Sequence, residues 1–176
     1  MEDLKKLRRW AVPLQVGAIL AMVALSLAVG LGIAFADLPD DLRRAAGLGD
    51  GVQLDTSRRV AVGALGALPA LAMIYVLGQM AALFALYAAG EALSVRCARR
   101  LLNIGAGLFA GVVLELVARP AQILLASLAN PPGQQVLSLG VEGADLGQIL
   151  AAGLLVTVGW TMREAARIAE ENRGFV

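Results

Sequence analysis

Glu115 is the side chain in this sequence with the greatest scope for chemistry. It stands 14 positions into an apolar run that begins at Leu101, which is about 21 Å along a helix. An acid at that depth in a membrane segment is suited to carry a proton or a cation. Arg119 follows four residues later, the spacing at which helical side chains meet and pair. A proton relay normally needs a second ionisable group at depth. Gln15, Gln79, Gln148, Thr157 and Thr161 in the apolar runs hydrogen-bond but do not titrate. The expectation is therefore a structural Glu115–Arg119 pair near one interface, with transport through Glu115 as the alternative.

Composition narrows the chemistry further. The 176 residues include no histidine and one cysteine, Cys97. Histidine is the commonest general base and metal ligand, and one thiol builds neither an intrachain disulfide nor a thiolate metal site. The sequence thus predicts no metal, no cofactor and no recognisable nucleophile–base pair, so no enzyme. Fifteen basic residues against fourteen acidic ones leave no basic face for direct nucleic-acid binding.

The elements that must position Glu115 are membrane helices. Charged residues make up 16% of the chain, against about 25% in soluble domains. They are missing altogether from Ala11 to Ala36, 26 residues, and from Val60 to Gly90, 31 residues. About 20 apolar residues cross the ~30 Å hydrocarbon core. The predicted fold is all-α, a single polytopic membrane domain over 1–176. Its four transmembrane helices lie at about 11–36, 60–90, 101–118 and 146–162, followed by a tail at 163–176. "AFA" at Ala34 to Ala36 resembles a cleavage site, yet cleaved signal peptides carry an apolar region of only ~7–15 residues, so the first helix is expected to be retained. Span two exceeds the bilayer and should tilt, project or bend at Pro69. Beyond Pro120, residues 121–129 either continue span three or lie on the outer surface, and "NPPG" at Asn130 to Gly133 ends helix.

Lysine and arginine collect in cytoplasmic segments. Ten fall before span one, after span two or in the tail, and five fall in the other loops. Both termini are therefore expected in the cytoplasm, in the inner (plasma) membrane of a bacterium, with Trp10, Tyr87 and Trp160 at the inner interface. On this topology "GEALSVRCARRLLNIG", residues 90–105, is a cytoplasmic hairpin turn. Gly90 ends or bends span two, and Ser94 is placed to cap the next helix. Arg96, Arg99 and Arg100 hold the turn at the headgroups, since an arginine at the bilayer centre costs about 2.5–3.5 kcal/mol or more. With Glu91 they form the surface most open to a cytoplasmic partner.

Gly107 and Gly111 make a GxxxG pair, and Ala24, Ala28, Gly32 and Ala36 a small-residue stripe. Such spacings let helix backbones approach. Packing inside one chain is the expected use, and homo-oligomerisation the other. In the tail, Arg167 and Glu171 have i,i+4 spacing, and three basic with three acidic residues give no pull on anionic lipid.

"YVLGQMAALFALYAAGEALSVRCARRLLNIGAGL", Tyr75 to Leu108, resembles the central hairpin of the YoaS-like family of small bacterial four-helix membrane proteins of unknown function. The likeness rests on Gly90-Glu91, Ser94, Arg100-Leu101, Ile104-Gly105 and the closing "EEN" at Glu170 to Asn172 before Phe175-Val176. It departs at Leu93, where the pattern has an aromatic residue. Members are often encoded beside small helix-turn-helix regulators, so the resemblance implies a cytoplasmic regulatory partner. The function expected from the sequence is a non-enzymatic protein in the lipid bilayer that binds or restrains such a partner. The alternative is a small transporter or channel subunit using Glu115.

Overall fold

The computed structural model describes residues 2–35, 37–49, 54–92, 94–131, 133–138, 140 and 143–173, without the side chains of 2–7, 35, 170, 172 and 173. Five helices follow one another: α1 (Glu2–Phe35), α2 (Asp40–Ala45), α3 (Thr56–Ala88), α4 (Val95–Ser127) and α5 (Gly143–Arg173). There is no strand among the described residues. All but α2 are long and apolar enough to cross a membrane, at Arg8–Ala34, Thr56–Ala88, Val95–Ser127 and Gly143–Ala169. This is the architecture of an integral membrane protein. Its outward faces are correspondingly apolar, with Leu150 on α5 and Val117 on α4 among the most exposed side chains. In water such faces would drive association; against lipid they are at rest.

The four long helices stand in an antiparallel row. Among the described residues α1 packs on α3, α3 on α4 and α4 on α5, while α1 and α5 do not touch. Both termini and the α3–α4 turn therefore lie at one end, the termini end. Helix α2 and the two longer connections lie at the other, the loop end. α4 carries most of the buried positions: like α3 it has transmembrane neighbours on two sides, and its buried glycines let both approach closely. One buried cluster, Leu42, Ala46, Val62, Ile123 and Ala126, closes the loop end. A second, Val76, Leu83, Cys97, Leu101 and Ile104, fills the half nearer the termini.

The turn at the termini end has the local chemistry its sequence suggests. Gly90, at φ +84°, terminates α3 in a left-handed conformation that glycine adopts without steric cost. Its N–H reaches Tyr87 O at 3.0 Å, and the N–H of Glu91 reaches Leu86 O at 3.0 Å, the paired bonds of a Schellman motif. Ser94 caps α4, its Oγ accepting from the Cys97 N–H at 3.2 Å. Leu93, Ala36 and the chain end at Phe175-Val176 lie outside the described residues.

One feature departs from the sequence reading, and one resolves a choice it leaves open. The segment taken as a loop from Asp37 to Arg59 contains α2, whose acidic residues Asp40 and Asp41 start it and whose Arg43 and Arg44 end it, matching the helix dipole. Of the two courses open to residues 121–129, the chain takes the continuation: α4 runs through Pro120 to Ser127. Pro120 removes one helical hydrogen bond, and three side-chain bonds fasten the extension. Gln122 Nε2 donates to Val62 O at 2.9 Å, Arg58 Nη1 to Leu128 O at 3.2 Å, and the fully buried Ser127 accepts from Val136 N at 3.1 Å. At about 1.5 Å per residue α3 and α4 are each ~50 Å long, so in a ~30 Å core they must tilt or project.

Candidate functional site

Glu115 lines a cleft of about 510 Å³ between the two buried clusters. α3 and α4 contribute most of its wall. Leu25 of α1 borders it on one flank and Asp145 and Gln148 of α5 on the other, so the open row of helices creates it. From Gly107 to Ile123, both on its wall, the cleft follows α4 for about 24 Å. The half towards the termini is apolar, with Met73, Val76 and Leu108. The half towards the loops carries Glu115, Arg119, Asp145 and Ser138, and the Gln148 amide stands between the halves, at the level of Leu108 and Gly111. Pockets of ~300–1,000 Å³ with a few convergent polar groups are the size that small ligands occupy.

Backbone irregularity concentrates on the same wall. Pro69 of α3 and Pro120 of α4 both line the cleft. A helical proline leaves the carbonyl four residues earlier without its N–H partner, here Leu65 O and Leu116 O. Leu116 itself borders the cleft.

The expected Glu115–Arg119 pair is not formed. Arg119 Nη2 lies 3.8 Å from Asp41 Oδ2 on α2, and Glu115 has no hydrogen bond or ion pair among the described residues. The reason is the unforeseen helix α2, which offers Arg119 a carboxylate nearer the loop end, where a long arginine can reach water. The Arg119–Asp41 contact is itself exposed and contributes about 0–1 kcal/mol. Gln148 spans from α5 to α4, its Nε2 donating to Leu108 O at 3.2 Å, and its own amide oxygen receives no donor among the described residues.

Gly107 and Gly111 are buried on α4. A Cβ at Gly107 would meet Val76 Cγ2 at 2.7 Å, and one at Gly111 would meet Gln148 Nε2 at 3.4 Å. Both therefore face neighbouring helices of the same chain. Sequence reasoning missed the closer approach at Gly105, where a Cβ would come within 2.8 Å of Ala152 O and 2.7 Å of Val156 Cγ2. It also missed Gly159, whose Cβ would fall 2.8 Å from Leu102 Cγ.

The arginine turn is divided in three. Arg96 Nη2 lies 3.2 Å from Glu91 Oε2, without the alignment of a hydrogen bond, and is well exposed. Arg99 is exposed too. Arg100 instead folds inward, its Nη1 donating to Gln79 Oε1 at 2.8 Å, the oxygen that also accepts from Asn103 Nδ2 at 3.3 Å. Cys97 is fully buried, its thiol donating to Glu91 O at 2.9 Å. In the tail Arg167 is held by Glu164 and, at 2.9 Å, by Glu171. No group of three or more metal-ligating side chains occurs among the described residues.

Against known proteins, the model of the family of proteins of unknown function DUF2975 matches residues 6–173. The chain belongs to this family. For this DUF2975 protein the match takes in the membrane-crossing stretches of all four long helices and the described residues that line the cleft. No curated protein and no solved structure matches the chain.

Proposed function

We propose that this DUF2975 protein is a non-enzymatic protein of the bacterial plasma membrane, with both termini cytoplasmic, that holds a small ligand in the cleft around Glu115. The observation that carries the reading is the cleft itself: about 510 Å³, with one unpaired carboxylate inside it. Binding rather than transit is favoured by what lies towards the termini. There Val76 packs on Gly107, the second apolar cluster follows, and the Gln79–Arg100–Asn103 bonds tie α3 to α4 beyond it.

Native mass spectrometry of the full chain taken from bacterial membranes in mild detergent tests this. The expected spectrum shows an added non-protein mass that is lost in Ala70→Trp, which fills the cleft. In vesicles with an internal pH-sensitive dye, wild type is expected to take up no more protons than empty vesicles. Proton uptake that Glu115→Gln abolishes would instead establish the transporter reading.

A cytoplasmic partner is the second reading, favoured by the exposure of Arg96 and Arg99 and by the resemblance of the central hairpin to the YoaS-like proteins, which implies a helix-turn-helix regulator. Recovery of one such regulator with wild type, and not with an Arg96→Glu/Arg99→Glu double variant, would support it. A homo-oligomer closing the open row is compatible with either reading.

A further inference from the structure

We infer that the cleft takes an amphiphile with a primary ammonium head and an unbranched apolar tail. The head sits between Glu115 and Gln148, and the tail points towards Gly107. This rests on the reading of the cleft as a ligand site and names the ligand's class.

Two side-chain acceptors on the wall lack donors among the described residues. The Glu115 carboxylate is unpaired, and the Gln148 amide oxygen receives nothing while its nitrogen is committed to Leu108 O. Acceptors without donors in a low-dielectric site call for a donor-rich ligand. An ammonium brings three N–H donors and the charge that Glu115 lacks a partner for. Among the described residues the one cation on the wall, Arg119, reaches Asp41, so the wall presents acid rather than base to the head.

Shape supplies the rest of the class. From Glu115 to Gly107 the cleft runs about 12 Å along α4 between Met73, Val76 and Leu108. A charged head with no tail would leave that half empty of apolar contact, and burying a chain there is favourable mainly for a ligand that comes from water. A ligand already in the membrane gains little from the tail and is selected by its head. Selection by the head group is accordingly the property to measure.

Full-length protein in phosphatidylcholine nanodiscs, titrated calorimetrically with dodecylamine against empty discs, tests the assignment. Saturable binding is expected, weakened tenfold or more in Glu115→Gln and lost in Ala70→Trp. Should Glu115→Gln fail to fold, Gln148→Met removes an acceptor and is expected to weaken binding several-fold. Dodecyltrimethylammonium, with the charge but no N–H, should bind at least several-fold more weakly than the amine. Discs containing phosphatidylethanolamine distinguish the sources: competition makes a lipid amine the occupant, and its absence makes a free amphiphilic amine the occupant. Dodecanol binding as tightly as dodecylamine overturns the inference, as does an unchanged affinity in a folded Glu115→Gln protein. Dodecanoate binding that Ala70→Trp abolishes overturns the amine class while leaving the cleft a binding site. No saturable binding of the amine also overturns the class, and the cleft reading falls with it only if the native spectrum shows no added mass.

Discussion

Gly105→Ala is expected to destabilise the protein by about 1–3 kcal/mol, the usual cost of forcing extra atoms into a close-packed contact, and Gly105→Val by more. The added Cβ would stand 2.8 Å from the Ala152 carbonyl oxygen and 3.1 Å from Val156 N. Those are backbone atoms of α5, so no rotamer change relieves the clash and the two helices must separate. Membrane helices have no hydrophobic drive to reassociate at a distance, and their contact depends on close packing and interhelical hydrogen bonds. α5 packs on α4 alone, so losing this approach should loosen α5 as a unit and expose Gln148 and the cleft. The control is Gly153→Ala, where nothing lies within 4 Å. Alanine there should be neutral or stabilising by up to about 1 kcal/mol through helix propensity. Unfolding in mixed detergent, followed by circular dichroism, measures both. Equal stability of the two alanine variants would show that α4 and α5 are not in the contact described.

Gln79→Leu is the second change with a large expected effect, about 1–3 kcal/mol, the cost of leaving a part-buried donor unsatisfied. One oxygen of Gln79 accepts from both Arg100 and Asn103, so its loss strands a cation and an amide together. The cost should be recovered in part when Arg100 is also replaced, because the partner then has nothing left to satisfy. Gln79→Glu should hold or raise stability by turning the bond to the guanidinium into an ion pair. A double-mutant cycle on Gln79→Leu and Arg100→Leu is expected to give a coupling of about 0.5–3 kcal/mol. Additive effects would show that Arg100 lies free at the headgroups, as the sequence alone suggests.

These two sites show where sequence reading stops. The four spans were legible because charge-free runs of 26 and 31 residues admit few other structures. The caps at Gly90 and Ser94 were legible because turn chemistry is local. Gly107 and Gly111 stood out by their spacing, whereas Gly105 and Gly159 were indistinguishable from other glycines. What singles them out is the position of α5, a contact across some fifty residues of sequence. Arg119 was assigned to the nearest acid on its own helix because i,i+4 is the only pairing a sequence displays. Its partner, Asp41, is brought near by a six-residue helix inside a segment rich in acids and bases, where no periodicity marks it. Pro120 left two courses open for residues 121–129. Fastening by Gln122, Arg58 and Ser127 carries the helix past it, through bonds to residues distant in the chain. The cleft was invisible for the same reason, since it exists only because α1 and α5 stand apart.

The central claim is that Glu115, although well within a membrane helix, faces a cleft between helices rather than lipid. Cysteine accessibility measures this directly. Cys97 is fully buried, so the wild-type chain serves as the blank for a charged, membrane-impermeant thiol reagent added on the side opposite the termini. Glu115→Cys is expected to react, more slowly than Leu137→Cys on the exposed loop but well above the blank, and to be protected in Ala70→Trp. Val113→Cys, two residues away on the outward face of the same helix, is expected to stay unlabelled. Labelling of Glu115→Cys no faster than Val113→Cys would place the carboxylate against lipid or sealed packing and contradict the account.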